Sequence, residues 1–299
     1  MLPLSLHAQL AGKRFGLVLS AGYFGFYGHA GFLQGLGEAG LSPSAYAGTS
    51  AGGLVAAYAA AGMEVEQFRR LVLEQTRAAF WDPDPVGALR AALPGGAGAT
   101  GLLKGQRFRR LLESTLPVSR FEALAHPLVL VGANLTRGTP EVFSSGELAP
   151  RVHATCAYPG LFRAVHLGDE LFWDGGLVDK APALALQQSA AGKGLEALLV
   201  HYLPSRAGAR LSGPFAYAKG IAAGNLALRH EHFRLQLALL QARGVPVHVV
   251  VSHLPAVSPS RMELGPQAMH QAREALLTAL AQPPRSLEAG LAAAGEGRG

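Results

Sequence analysis

The sequence has one cysteine, few charged residues and no long apolar run. Cys156 cannot form an internal disulfide by itself, so nothing in the sequence indicates folding in an oxidising compartment. Charged residues make up 15% of the 299 residues, against about a quarter in an average protein, whereas apolar residues make up 49%. This composition excludes a disordered chain and predicts a large buried core.

The chain also shows no segment that would direct it to or through a membrane. Residues 1–10 lack the basic start and apolar centre of a signal peptide. The apolar run at 15–21 is far shorter than the roughly 20 residues that a membrane-spanning helix needs. From these absences we expect a cytoplasmic protein that makes at most a peripheral contact with a membrane.

Motifs for nucleic acids, nucleotides and metals are missing as well. The net charge is +6, but the basic residues are scattered, and no zinc-finger or aromatic RNA-binding motif is present, so we expect no nucleic-acid partner. Gly22, Gly25 and Gly28 do not have the spacing of a dinucleotide fingerprint. His230 and His232 are two positions apart and would not share a helix face, which argues against a metal site. We expect neither a metal nor an organic cofactor.

What the sequence does contain is a pair of β-loop-α units at its start. The first is a strand at 15–19, a glycine-rich turn at 20–28 and a helix at 29–39, and the second is a strand at 45–47 and a helix at 51–61. Such units predict an α/β fold with a mainly parallel central sheet between helices. Further strands are predicted at 127–133, 142–143, 171–173, 197–202 and 245–252, and further helices at 107–116, 221–242 and 267–281.

No linker or internal repeat divides the chain. We therefore expect a single domain over residues 1–285, followed by a flexible C-terminal tail at 286–299. Proline and glycine dominate residues 82–105, which fits either a mobile cover over a site or an ordinary excursion between two helices.

The most informative motif is Gly48-Thr49-Ser50-Ala51-Gly52, at the junction of the second strand and its helix. A serine at a sharp strand-to-helix turn projects its hydroxyl into solvent, because the flanking glycines let the backbone bend. The helix N-terminus beside it favours a developing negative charge. The motif alone also fits a plain structural turn, but the strand before it and the alanine-rich helix after it favour a nucleophilic Ser50.

A serine nucleophile needs a base, and the sequence offers two kinds. Asp174 stands at the end of a predicted strand, and Gly175-Gly176 after it permit close backbone approach. His201 and His253 lie at or near the ends of other predicted strands. Ser50, Asp174 and His253 follow the order of an α/β-hydrolase triad, although in that fold more strands precede the serine. Both alternatives remain open from the residues alone.

Taken together, Gly48 to Gly52, Pro159-Gly160-Leu161-Phe162 and Asp174-Gly175-Gly176 resemble the patatin-like phospholipase family, and in particular its bacterial acyl hydrolases. The resemblance covers roughly residues 15–182. It implies a three-layer α/β/α fold and an acyl hydrolase acting on ester lipids without a cofactor. It also implies that Ser50 is the nucleophile and that Asp174 alone is its base.

The resemblance further implies an oxyanion hole in the glycine-rich loop after the first strand. In the family this loop has three glycines, two variable positions that include a basic residue, and another glycine. Here the loop keeps Gly22 and Gly25 but contains no arginine. We expect the N–H groups of Gly22, Tyr23 and Phe24 to face the oxyanion. The altered loop leaves a second hypothesis, a non-catalytic lipid- or protein-binding module on the same fold.

Overall fold

The computed structural model describes residues 3–87, 101–205 and 216–284. The predicted tail at 286–299 and most of the predicted cover, residues 88–100, lie outside the described residues, so the domain boundary and the cover stay predictions. The two ends of the predicted cover do meet, because the Asp84 N–H donates to the Leu102 carbonyl oxygen at 3.0 Å and the Gly105 N–H donates to Asp82 Oδ1 at 3.0 Å.

The strands alternate with helices along most of the chain. The strands are β1 (Phe15–Leu19), β2 (Ala45–Gly48), β3 (Gly101–Leu103), β4 (Leu128–Asn134), β5 (Thr139–Phe143), β6 (Gly160–Phe162), β7 (Val165–Leu167), β8 (Glu170–Asp174), β9 (Ala197–Tyr202) and β10 (Val247–Val251). The helices are α1 (Leu6–Leu10), α2 (Phe26–Glu38), α3 (Ala51–Ala60), α4 (Val65–Glu74), α5 (Arg77–Phe80), α6 (Gln106–Thr115), α7 (Leu148–Thr155), α8 (Ala183–Gln188), α9 (Ala216–Ala242) and α10 (Gly265–Leu280).

Within the described residues the main sheet has eight strands in the order β10-β9-β1-β2-β4-β8-β7, with β5 paired to β4. The pairs from β10 to β4 are parallel, whereas β5 and β8 are antiparallel to β4, and β7 is antiparallel to β8. Strands β3 and β6 form a separate parallel pair. In the central register Leu19 lies beside Gly48 on one side and His201 on the other, so the loops that follow β1, β2 and β9 meet at one edge of the sheet.

Helices cover both faces of this sheet, because the residues of its central strands alternate between two apolar clusters. Leu17 and Leu19 point to one cluster, and Val18 points to the other. The first cluster contains buried residues of α2, α3, α4, α6, α7 and α10, and the second contains residues of α8 and α9. The predicted three-layer α/β/α fold with a mainly parallel sheet is therefore confirmed.

The predicted start of the first long helix was wrong by three residues. We expected the glycine-rich turn to continue through Gly28, whereas α2 begins at Phe26 and includes Gly28 and Gly31. These two glycines serve packing within the helix, not turn formation. A Cβ at Gly31 would lie 1.9 Å from the Met269 carbonyl oxygen, and one at Gly28 would lie 2.3 Å from a methyl carbon of Leu254. Gly31 thus allows α10 to pack closely against α2, and Gly28 leaves room for the Leu254 side chain.

Candidate active site

Ser50 occupies a strained turn between β2 and α3. Its backbone has φ 56° and ψ −128°, a region that residues with a side chain rarely adopt. The neighbouring glycines are sterically required, since a Cβ at Gly48 would lie 2.5 Å from the Gly52 carbonyl oxygen and one at Gly52 would lie 2.2 Å from that of Leu19. The close approach of three backbone segments therefore forces the sharp turn that presents the Ser50 hydroxyl.

The fold brings Asp174 directly to this hydroxyl. Asp174 ends β8, which pairs with β4 so that Asp174 lies opposite Gly132. Ser50 Oγ donates a hydrogen bond to Asp174 Oδ2 at 2.6 Å, across 124 positions of sequence. The other carboxylate oxygen, Oδ1, accepts the Gly176 N–H at 2.7 Å. Both oxygens of the carboxylate thus have a defined hydrogen-bond partner, and one of these partners is the serine.

The environment makes this carboxyl group more basic than usual. Burial raises the pKa of Asp174 to about 6 from an ordinary value near 3.8, and the hydrogen bonds from Ser50 and Gly176 and the charge of Arg229 lower it by less. Asp174 is 2% exposed. At neutral pH the group is mostly ionised and still holds a proton more readily than a solvated aspartate.

Each of the two glycines after Asp174 is required by a different close contact. A Cβ at Gly175 would lie 1.9 Å from the Val131 carbonyl oxygen, so this residue lies directly against β4. A Cβ at Gly176 would lie 2.8 Å from the Ala21 side chain and 2.9 Å from Asp174 Oδ1. The pair therefore lets the carboxylate approach both β4 and the loop after β1, as the sequence predicted for close backbone approach.

Residues at the end of α7 form hydrogen bonds with the main chain of Ser50. Thr155 Oγ1 accepts the Ser50 N–H at 3.1 Å and itself donates to the Val131 carbonyl oxygen, while Cys156 Sγ donates to the Ser50 carbonyl oxygen at 3.2 Å. Burial and the nearby Asp174 raise the pKa of the Cys156 thiol well above its usual value, so it stays protonated. The sequence assigned neither residue this contact.

The glycine-rich loop lines the same cavity as Ser50. Gly22, Tyr23 and Phe24 contribute to its wall, and within the described residues no acceptor is bound to their N–H groups. Phe24 has a φ of 52°, so the backbone of this loop is strained next to the cavity. A Cβ at Gly22 would lie 2.8 Å from a methyl carbon of Leu203 and one at Gly25 would lie 2.4 Å from it, so a side chain at either position would displace Leu203.

The cavity itself has a volume of about 470 Å³ and is mostly apolar. Ser50 and Asp174 lie in its wall, and aromatic side chains such as Phe24, Phe80 and Phe108 line it. Tyr23 and Tyr158, 56% and 43% exposed, have ring centroids 6.0 Å apart on the same wall. Of the aromatic residues in the glycine-rich loop region, Tyr23, Phe24 and Phe26 line the cavity, whereas Tyr27 packs in the core against Gly265.

Neither histidine that the sequence offered as a base contacts the serine or the carboxylate. His253 is exposed on the cavity wall, and within the described residues it has no hydrogen bond to Ser50 or Asp174. His201 is buried and bonds through Nδ1 to His29 at 2.8 Å and through Nε2 to the Ser252 hydroxyl at 2.9 Å. A triad needs an imidazole between serine and carboxylate, and here the two groups bond directly.

The buried histidine pair supports the loop that precedes the candidate oxyanion hole. The Ser20 carbonyl oxygen can only accept, so His29 Nε2 donates to it, at 2.8 Å. His29 Nδ1 then accepts from His201 Nδ1, and His201 Nε2 accepts from the Ser252 hydroxyl. Burial lowers the pKa of His29 to about 4 and that of His201 well below its usual value, so both rings are neutral. Sequence periodicity gave no signal for this chain of hydrogen bonds.

The sequence did not identify Arg229 as part of the site. Arg229 lies on α9, and its Nη1 donates to the Gly176 carbonyl oxygen at 2.6 Å. The sequence places this residue within a helix next to His230 and His232, and no motif connects it with Ser50. Among the described residues, no group of three or more histidine, cysteine, aspartate or glutamate side chains is arranged to hold a metal ion.

A strained serine at a strand-to-helix turn of an α/β protein, with a buried carboxylate bonded to it, is an arrangement typical of serine hydrolases. The sequence profile of the patatin-like phospholipase family matches residues 17–186, which is more than half of the chain. The protein belongs to this family. The resemblance stated from the motifs is thereby confirmed.

Known relatives agree with this assignment. An uncharacterised NTE family protein of Mycobacterium tuberculosis is 29% identical over 179 residues, which are 60% of this chain and 29% of that protein. Another from the same organism is 26% identical over 171 residues, covering 56% of this chain and 44% of the relative. The chain thus matches less than half the length of these relatives. VipD from Legionella pneumophila shares the fold with a TM-score of 0.50 at 16% identity, over 94% of this chain and 71% of VipD.

Proposed function

We propose that the protein is a serine acyl hydrolase that cleaves carboxylic esters of lipids through Ser50 and Asp174. The observation that carries this proposal is the 2.6 Å hydrogen bond from Ser50 Oγ to a buried Asp174 whose pKa is raised to about 6. A carboxylate in this state can take the serine proton at neutral pH, and the family assignment supports the same chemistry.

The geometry suggests the following sequence of steps. Asp174 Oδ2 accepts the proton of Ser50 Oγ while Oγ attacks the ester carbonyl carbon, and the carbonyl oxygen becomes an oxyanion. The N–H groups of Gly22, Tyr23 and Phe24 would stabilise that oxyanion, since each suitably placed donor contributes about 3 to 4 kcal/mol at the transition state. The protonated Asp174 then donates to the leaving alcohol, and water releases the acyl group from Ser50 by the reverse route.

The cavity favours an ester with an acyl chain over a small polar ester. Its wall beyond Ser50 is made of side chains such as Leu71, Phe80, Phe108 and Leu112, which offer no hydrogen bonds to a polar substrate. The exposed Tyr23 beside it would suit a peripheral contact with a lipid surface, because tyrosine is favoured at such interfaces. No helix among the described residues is long and apolar enough to span a membrane.

The proposal predicts a specific pH dependence. Asp174 accepts a proton only when ionised, so kcat/KM for a neutral, water-soluble ester should rise with pH through a single ionisation near 6 and then level off. A solvated aspartate would give the same rise near 3.9. The measurement is kcat/KM between about pH 4.5 and 8.5 at constant ionic strength. A flat profile over this range would contradict the role of Asp174 as a buried base.

The direct test of the nucleophile is reaction with a fluorophosphonate probe, followed by peptide mass spectrometry. We expect labelling at Ser50 in the folded protein and none after heat denaturation, because activation depends on the folded contact with Asp174. Ser50→Ala should remove the label, whereas Ser258→Ala, which changes a half-buried serine outside the cavity whose hydroxyl bonds to that of Ser260, should retain it. Absence of labelling in the folded protein would favour the non-catalytic binding module.

A further inference from the structure

The part of the cavity that adjoins α3 lies between three helices, α3, α4 and α6, and is called the α3 arm below. The α6 residues that line it share one face of that helix. They are Phe108, Leu111, Leu112 and Thr115. The polar residues Ser205, Arg229 and His253 line the cavity from α9 and from the segments after β9 and β10. The α3 arm is therefore the part of the cavity that suits the acyl chain of an ester bound at Ser50.

Aromatic contacts identify the two ends of the α3 arm. At the end near the glycine-rich loop, the ring centroid of Phe80 lies 6.0 Å from that of Phe24. At the other end, the ring centroid of Phe68 on α4 lies 5.1 Å from that of Tyr58 on α3. Tyr58 follows Ser50 by two turns of α3, so the arm extends about 12 Å along the axis of this helix.

Tyr58 closes the far end of the α3 arm by reaching from α3 to α6. Its hydroxyl lies 2.5 Å from Thr115 Oγ1. Thr115 Oγ1 uses its own proton to donate to the Leu111 carbonyl oxygen at 2.6 Å, so Tyr58 is the donor in the bond between the two hydroxyls. The Tyr58 side chain is buried. Among the described residues that line the cavity, α3 contributes none after Tyr58 and α6 none after Thr115.

The length of the α3 arm sets a limit on the acyl group. An extended alkyl chain advances about 1.25 Å per carbon, so an arm of about 12 Å holds roughly nine or ten carbons. A helical side chain leans toward the N-terminus of its helix, which brings the Tyr58 ring closer to Ser50 and lowers the limit to about eight to ten carbons. A longer chain would have to fold back or displace this ring, which Thr115 and Phe68 hold in place.

We propose that Tyr58 limits the length of the acyl chain, with Thr115 as its anchor, and that the preferred substrates are esters of acyl groups of about eight to ten carbons. This inference rests on the proposed hydrolase function and goes beyond it, because it assigns chain-length selection to two residues that belong to no motif of the sequence. The competing explanation is that the bond between Tyr58 and Thr115 only joins α3 to α6 and that the acyl chain lies elsewhere in the cavity.

The kinetic test measures kcat/KM for dissolved p-nitrophenyl esters with acyl groups of about four to fourteen carbons, since each further methylene buried should raise it about fourfold. In the unchanged protein the values should reach a maximum at about eight to ten carbons and then fall. Tyr58→Leu removes the ring and should move the maximum to longer acyl groups. The ratio of kcat/KM for the tetradecanoate to that for the octanoate should rise roughly 10-fold or more, the gain from two further buried methylenes.

A second variant, Leu54→Phe, tests the same path in the opposite direction and does not depend on whether Tyr58→Leu folds. Leu54 lines the cavity one turn of α3 after Ser50, between Ser50 and Tyr58. A larger side chain there should move the maximum to acyl groups about two carbons shorter. The proposal is overturned if folded Leu54→Phe or folded Tyr58→Leu leaves the maximum in place, or if kcat/KM in the unchanged protein rises evenly through the longest ester.

The matched control is Tyr46→Leu, which also removes a buried tyrosine ring. Tyr46 lies on β2, has its ring centroid 5.8 Å from that of His126 and does not line the cavity. This variant should lower the melting temperature but keep the chain-length profile of the unchanged protein. A shift of the maximum as large as that in Tyr58→Leu would attribute the effect to a loosened core and would overturn the role of Tyr58.

A binding measurement separates this inference from the proposed function. Ser50→Ala protein is titrated calorimetrically with 2-alkanones of about eight to fourteen carbons, neutral ketones whose affinity should rise about fourfold per methylene and stop rising at about ten carbons. Adding Tyr58→Leu should extend the rise by about two carbons. This readout needs no turnover, so a limit in binding without cleavage of any ester would refute the hydrolase and retain the acyl site. Cleavage together with an affinity that rises evenly through the longest ketone would overturn the length limit alone.

Discussion

Replacing Ser50 by alanine is expected to lower ester turnover on the order of 10⁶-fold, the size of effect that loss of the nucleophile has in serine proteases. Among the described residues that line the cavity, this hydroxyl alone is both hydrogen-bonded to a carboxylate and placed at a helix N-terminus. No other serine among the described residues contacts Asp174, so no neighbour can substitute for it. The measurement is kcat on a soluble ester with purified protein.

The Ser50→Ala protein should remain folded. Alanine adds no atom to the turn, and the strained backbone is held by the contacts of Thr155 and Cys156 with the Ser50 main chain. Its circular dichroism spectrum and melting temperature therefore serve as the control for the kinetic loss. Turnover close to that of the unchanged protein, with the fold intact, would refute Ser50 as the nucleophile.

The second large effect is expected from Asp174→Asn, which should lower kcat by about 10²- to 10⁴-fold, the usual contribution of a general base. Asparagine has the same shape, but its amide cannot accept the serine proton. If its oxygen keeps the bond from the Gly176 N–H, its NH₂ group faces Ser50 Oγ, and the polarity of the original contact is reversed. KM should change little, because the cavity keeps its shape.

Asp174→Asn should lower kcat but should not lower the stability of the folded protein at neutral pH. The pKa of Asp174 is about 6 in the folded protein and near 3.9 in an unfolded chain, so folding favours the protonated form. The folded state consequently loses stability as pH rises from about 4 to 6, by roughly 3 kcal/mol in total. Asp174→Asn removes this loss, and its melting temperature at pH 7 to 8 should equal or exceed that of the unchanged protein.

Asp179→Asn is a suitable control for Asp174→Asn. Asp179 is also a buried carboxylate, but it bonds to Gln236 and to the Ala181 N–H and does not line the cavity. We expect this variant to retain most of its turnover. A loss of turnover as large in Asp179→Asn as in Asp174→Asn would attribute the effect to any buried carboxylate and would remove the argument for a specific base.

Local sequence patterns were sufficient for the parallel half of the sheet. The strand predicted at 15–19 is β1, and the strands predicted at 45–47, 127–133 and 197–202 coincide with β2, β4 and β9 within one residue at each end. These strands are buried on both faces and read as continuous apolar runs, so burial and secondary structure give the same signal. The antiparallel edge was harder to predict from the sequence. Only residues 142–143 of β5 were predicted as a strand, because β5 has exposed and half-buried positions along most of its length.

The strand-to-helix turn at Ser50 could also be predicted from neighbouring residues in the sequence. Gly48 and Gly52 are visible in the sequence, and their need for close backbone approach can be inferred from a known turn geometry. From the residues alone Asp174 was one candidate base beside His201 and His253, and the family resemblance singled it out. No spacing rule predicts the contact of Ser50 with Asp174, since the two residues are 124 positions apart and meet only because β8 pairs with β4.

The sequence by itself therefore determined the α/β class, the parallel strands and the serine turn, because these depend on apolar periodicity and glycine over a few neighbouring residues. Only the tertiary structure decided which carboxylate faces Ser50, which histidines stay neutral in the core and which arginine enters the cavity. Those choices depend on sheet order and on the packing of α9 over β9, where Arg229 reaches Gly176 from 53 positions away. Burial then changes the chemistry of each group, raising the pKa of Asp174 and lowering that of His201.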